Sequence, residues 1–199
     1  MPEHSDDEIH QMVERVLQRF AGLSTPEAPA KSAAPALEPH LPVAVNPPVK
    51  KVVAIGADHG GFELKELLKP DLTALGYDII DTGTHNKEAV DYPDFAHEVA
   101  RLVSTGKAWR GIVIDGAGIG SCVVANKVPG VRAGMAYDYS SAVNGREHND
   151  TNVLTLGAGL IGVSLAKQIV KVWLSTEFGG GRHAKRVDKI MEVEKQYLK

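Results

Sequence analysis

The sequence predicts an α/β protein built on a doubly wound, five-stranded parallel sheet, and three observations carry that expectation. From Lys51 onward, short β-branched and aliphatic runs alternate with longer helical stretches, the order that gives parallel strands covered on both faces. The central run Gly111–Asp115 is apolar up to its last residue, as a strand buried on both sides must be. That run breaks at once into Gly116-Ala-Gly-Ile-Gly120 and then a helix, the passage at which open sheets of this class bind ligands. Asp115 stands at the bend. Gly116, Gly118 and Gly120 bring no Cβ between a ligand and the backbone, and the following helix offers unpaired N–H groups to an anion, so all three are candidate substrate-binding positions.

Taken in order, the strands are expected at Val52–Gly56, Asp78–Asp81, Gly111–Asp115, Arg132–Ala136 and Val153–Leu156. Helices are expected at Gly61–Leu75, Phe95–Thr105, Ser121–Val128, Ser140–Glu147 and Gly162–Leu174, with a last one, Arg182–Lys199, after the Gly179-Gly180-Gly181 hinge. Right-handed crossovers leave few ways to connect them.

The first fifty residues are of another kind. Ile9, Met12, Val13, Val16, Leu17 and Phe20 form one helical stripe within residues 5–22, Ser5 and Glu8 have capping-box spacing, and Gly22 suits the end of the helix. Residues 23–50 turn to Pro, Ala, Glu, Ser and Lys, a composition that stays extended rather than folded. Three segments follow: an amphipathic helix over 1–22, a disordered linker over 23–50 and a folded domain over 51–199.

A net charge of −3 gives no basic field for a nucleic acid. A single cysteine permits no disulfide within the chain, and no signal peptide or apolar run of about 18 residues is present, so a cytoplasmic protein without a membrane span is expected.

Several polar groups gather where chemistry is expected. Asp58-His59 follows the first strand, on the same edge as Asp115; Asp91-Tyr92-Pro93 follows the second; Arg146-Glu147-His148-Asn149-Asp150 precedes the fifth. Arg182 and Arg186 are four apart, so a helix would present both guanidinium groups from one face to a phosphate. Gly116-Ala-Gly118-Ile-Gly-Ser121 approximates a dinucleotide fingerprint, with Asp138 some way on, but the third glycine is Ser121 and the loop follows the third strand rather than the first.

In order and spacing, Gly56-Ala-Asp-His-Gly-Gly-Phe-Glu-Leu-Lys65, Asp91-Tyr-Pro93, Asp115-Gly-Ala-Gly-Ile-Gly120 with Ala125-Asn-Lys127, His148-Asn-Asp-Thr-Asn-Val-Leu154 and Gly180-Gly-Arg-His183 resemble the type B ribose-5-phosphate isomerases. These are grouped with the galactose-6-phosphate isomerases. The resemblance implies a Rossmann-like fold, an aldose–ketose isomerisation needing neither cofactor nor metal, and a homodimer or homotetramer whose active site is shared between two subunits. It further implies that His148 assists opening of the sugar ring, that Asn149 and Asp58 contact the sugar, that His59, Arg182 and Arg186 hold its phosphate, and that Tyr92 lines the pocket.

The chain departs from the family pattern in three places. Asp115 stands where many members have a cysteine base, Ala117 replaces a Thr or Ser, and Gly159 replaces an arginine that helps hold the phosphate. Ser121 occupies the position from which some members use a glutamate, and Cys122 is its neighbour. A carboxylate at position 115 can serve as the base, so Asp115 and His148 are the expected catalytic pair. The amino-terminal helix on its linker resembles the encapsulation peptides that carry enzymes into bacterial microcompartments, which implies docking of residues 5–22 on a shell or cargo protein and residence in the microcompartment lumen.

Overall fold

The computed structural model describes residues 51–198; the helix and linker expected over residues 1–50 lie outside the described residues. Strands β1 (Val52–Ala57), β2 (Asp78–Asp81), β3 (Arg110–Asp115), β4 (Ala133–Met135) and β5 (Val153–Gly157) form one sheet in the order β2-β1-β3-β5-β4. Every pairing is parallel. Connecting them are α1 (Phe62–Ala74), α2 (Tyr92–Ser104), α3 (Ile119–Ala125), α4 (Tyr139–Asn149) and α5 (Val163–Ser175), and α6 (Ala184–Tyr197) closes the described chain. The chain leaves β1 toward β2 and returns past it to β3, so the sheet changes winding direction between β1 and β3.

Alternation along the strands divides the core in two. Val53, Ile55, Ile112, Ile114, Leu154 and Leu156 point to the side of α1, α4 and α5, where Trp173 is buried with them. Ala54, Val113 and Val153 point to the other side and meet α2 and α3 through Val99, Ala100 and Ala125. Both layers are closed by helices, which is why β3 is buried along its whole length.

The element boundaries differ from expectation where a cap decides them. Helix α2 begins at Tyr92 rather than Phe95 because Pro93 fits its first turn, where no backbone donor is missed. Helix α4 begins at Tyr139, capped by Asp138, whose Oδ1 accepts the Ser141 amide at 2.6 Å while the Ser141 hydroxyl accepts the Asp138 amide at 3.2 Å. Helix α3 starts two residues early, at Ile119, because Gly118 turns the chain there with φ +78°. Helix α6 starts at Ala184, which leaves Arg182 in the preceding turn.

A fully buried lysine holds the end of β1. Lys65 on α1 donates to both carboxylate oxygens of Asp81, at 2.6 and 2.7 Å, and Lys69 adds a bond of 2.7 Å. Asp81 also accepts the Gly83 amide at 3.0 Å. The carbonyl of Gly83 accepts the Ala57 amide at 2.7 Å, and the Thr84 amide donates to Ala57 at 2.6 Å. The network therefore fixes the residue that precedes Asp58.

Candidate active site

Three turns meet at the carboxyl edge of the sheet, one each from β1, β3 and β5. The Asp58 amide donates to the Ile114 carbonyl at 3.2 Å, the Ala158 amide to Asp115 at 2.8 Å and the Gly159 amide to Gly116 at 2.9 Å. These bonds set Asp58, Asp115 and the glycine loop side by side.

Asp115 is buried, with 4% of its surface exposed. Its Oδ1 accepts the amides of Ala117, at 2.8 Å, and Gly118; its Oδ2 accepts the amide of Ser121, at 3.0 Å, and the Ser121 hydroxyl. A carboxylate offers about four lone-pair directions, so all of them have a donor. The loop expected to cradle a ligand anion thus directs three of its amides, those of Ala117, Gly118 and Ser121, at its own aspartate. Sequence reasoning missed this ring of bonds, although an Asp followed by small residues and a helix start is the pattern from which such side-chain capping arises.

Asp58, also buried, accepts the Gly61 amide at 2.9 Å. His59 is exposed, and its Nδ1 lies 3.2 Å from the Val90 carbonyl oxygen and 3.3 Å from the Val90 nitrogen. The ring of Tyr92 lies directly over Gly120: a Cβ at that glycine would sit 2.5 Å from Tyr92 Cζ. Tyr92 retains 38% exposure, so one side of the ring borders solvent.

The remaining candidates sit elsewhere. Gly111 at the start of β3 donates to the Asn152 carbonyl at 2.9 Å and pairs with Val153, whereas Asp115 pairs with Gly157. The stretch leading into β5 is therefore at the amino edge. His148 and Asn149, at the end of α4, lie beside it. Arg146 and Arg132 build this turn: each donates to Asp150 at 2.8 Å, and Arg146 also bonds the Thr151 carbonyl.

His148 stacks on His183 with ring centroids 4.1 Å apart and planes 5° from parallel, and the Gly179 amide donates to Glu147 at 2.9 Å. Partial desolvation lowers the proton affinity of His183 below its ordinary value, and its electrostatic interactions with His148, Arg182 and Arg186 lower it further. Arg182 and Arg186 are both exposed, but Arg182 precedes α6, so the shared helical face expected from their spacing is not formed. Asn144, unremarked in the sequence, places its Nδ2 2.8 Å from His148 Nδ1. Its signal was the four-residue spacing on one helix.

One chain therefore brings Asp58, His59, Tyr92, Asp115, Gly116, Gly118 and Gly120 together at one edge, and His148, Asn149, Arg182 and Arg186 together at the other. The model of the Ribose/Galactose Isomerase family matches residues 53–190. The chain belongs to the ribose/galactose isomerase family. Ribose-5-phosphate isomerase B of Escherichia coli strain K12 is 43% identical over 146 residues, covering 73% of this chain and 98% of the relative. D-erythrulose-4-phosphate isomerase of Pectobacterium atrosepticum is 43% identical over 149 residues, 72% of this chain and 95% of the relative. Among solved structures, ribose-5-phosphate isomerase B of Clostridium thermocellum superimposes with a TM-score of 0.73 at 51% identity, covering 74% of this chain and 99% of that one. The family match, like the described fold, leaves out the first fifty residues.

Proposed function

We propose that this chain is an aldose–ketose isomerase of a phosphorylated sugar, interconverting ribose 5-phosphate and ribulose 5-phosphate. The observation that supports it most directly is the buried carboxylate of Asp115 at the carboxyl end of the central strand, in a member of the ribose/galactose isomerase family. The reaction removes a proton from the carbon beside the carbonyl and returns it to the adjacent carbon through an enediolate. Asp115 is the base that carries the proton, and Asp58 and Tyr92 hold the sugar beside it. Gly116, with open space where a Cβ would stand, leaves the loop accessible to the substrate, whereas Gly118 and Gly120 are small because the end of β5 and the Tyr92 ring pack against them. His59 contributes to phosphate binding.

The groups at the amino edge are reached by pairing two copies. In a homodimer, His148, Asn149, Arg182 and Arg186 of one copy complete the carboxyl edge of the other, so that an imidazole assists ring opening and the guanidinium groups hold the phosphate. A groove of about 1130 Å³ beside the β4 edge, lined in part by Met135, Tyr137, Ile190, Val193 and Tyr197, offers an apolar surface for that contact.

The test is direct. Protein incubated with ribose 5-phosphate is expected to form ribulose 5-phosphate and to exchange solvent deuterium into the carbon beside the carbonyl. Asp115→Asn should lower kcat by about 10²- to 10⁴-fold. Binding of the sugar phosphate without exchange would instead identify a non-catalytic homologue.

A second reading, isomerisation of a different sugar phosphate, is favoured by Gly159 and Ala117. Losing an arginine bond to phosphate costs about 1.5–3 kcal/mol unless another cation compensates, and such a loss can move the preference among substrates. Comparing kcat/KM across tetrose, pentose and hexose phosphates separates the two.

We further propose that residues 5–22 direct the enzyme to a bacterial microcompartment by docking their apolar stripe on a shell or cargo protein, while residues 51–199 carry the chemistry. The stripe and the linker composition support it. Residues 1–24 fused to a fluorescent protein should form puncta in cells that assemble shells; diffuse fluorescence there would exclude it.

A further inference from the structure

We propose that Ser121 is a positioning residue for Asp115, its hydroxyl being the one donor that withdraws to open a proton-acceptor site on the carboxylate; this rests on Asp115 being the base. Four donors converge on Asp115, and three of them are backbone amides of Ala117, Gly118 and Ser121. Those amides cannot turn away without moving the loop, which Gly118 anchors in a left-handed turn and which the Ala158 and Gly159 amides clasp from the next strand. The fourth donor is the Ser121 hydroxyl on Oδ2, which rotates about a single side-chain bond. Ser121 is fully buried, so its hydroxyl has this carboxylate rather than bulk solvent as its partner.

The step balances without any further reagent. The carbon–hydrogen bond beside the substrate carbonyl breaks, its proton goes to Oδ2, and its electron pair enters the carbonyl to give the enediolate. Returning the proton to the adjacent carbon, while the hydroxyl proton of the enediolate passes from the second oxygen to the first, gives the ketose and restores the carboxylate, and the Ser121 hydroxyl swings back onto Oδ2. The hydroxyl's own O–H bond stays intact throughout.

Bonded to Oδ2, the hydroxyl favours the charged carboxylate, so its removal makes Asp115 a stronger base and moves the loss of activity on the acid side to higher pH. The other titratable groups at this edge are Asp58 and His59 from the turn after β1, His85, Lys87 and Glu88 from the loop after β2, Asp91 and Tyr92 at the start of α2, and Tyr137 and Asp138 from the turn after β4. The turn after β5, residues 157–161, carries none. Cys122 Sγ is directed to the Ala133 carbonyl at 3.5 Å. In the paired site, His148 of the second copy joins them.

The experiment measures the pH dependence of kcat in the full-length protein for Ser121→Ala, Ser121→Cys and Asp115→Asn, with thermal melts alongside. Ser121→Ala is expected to shift the acid limb upward by about one pH unit. Ser121→Cys, nearly isosteric and a weaker donor, should move it the same way by less. An inactive Asp115→Asn with an unmoved acid limb in both Ser121 variants overturns the role of Ser121 and leaves the base in place. An Asp115→Asn enzyme with wild-type kcat and deuterium exchange overturns both.

Discussion

At the scale of single residues, the site depends on how closely backbone and side chains approach. Tyr92 packs closely against Gly120 because no Cβ intervenes, and Gly118 combines φ +78° with a position at which a Cβ would lie 2.9 Å from the Leu156 carbonyl carbon. Gly120→Ala is therefore expected to push the Tyr92 ring out of place while the fold persists. Losing one aromatic contact is worth about 1 kcal/mol, so KM should rise about five- to tenfold with kcat little changed, as steady-state kinetics would show. An unchanged KM would mean that Tyr92 does not touch the sugar. Asp115 is the opposite case: its identity was readable as a departure from the family pattern, but the four donors around it were not. They come from residues two, three and six positions on, and only the turn at Gly118 brings them back.

At the scale of elements, buried charges fasten helices to strand ends. Burial by itself would raise the proton affinity of Asp81, but the bonds from Lys65 and Lys69 and from the Gly83 amide outweigh it and hold the carboxyl at about 2, against 3.8 for the free group. The folded protein therefore gains stability from this group above pH 3.8 and loses it as pH falls through 2. The amount is about 2 kcal/mol. In denaturant titrations, Asp81→Asn should weaken the protein at neutral pH and flatten its stability between about pH 4 and 2. An equally steep acid loss in the variant would show that other carboxylates dominate.

Arg110 acts similarly at the other edge. Its guanidinium lies 4.0 Å over Trp109 and donates to the Trp173 and Leu174 carbonyls at 2.8 and 2.9 Å, closing the end of α5. Burial, with Arg146 nearby, lowers it to about 10, still charged at neutral pH. Neither device shows in periodicity, because Lys65 and Arg110 read as surface charges until the chain folds over them.

For the whole molecule, the division of candidate residues between two edges leads to a mixing experiment. Asp115→Asn and His148→Ala are each expected to be nearly inactive as homodimers. Reassembled together from dissociated subunits, they should recover about a quarter of wild-type activity, since half of the dimers are mixed and one of the two sites in each is intact. No recovery despite proven subunit exchange would mean that the two edges do not share a site. The alternation of strands and helices and the glycine loop after the central strand were readable from the sequence, because each is a local pattern of residue types along the chain. The residue types proposed for the sugar-phosphate site stand in the sequence as motifs. Their separation was not drawn from the sequence, although a motif just before a strand belongs to the amino edge and one just after it to the carboxyl edge. Which donors surround Asp115, and which groups share an edge, depend on chain reversals and on hydrogen bonds between segments distant in sequence, and these exist only once the sheet has assembled.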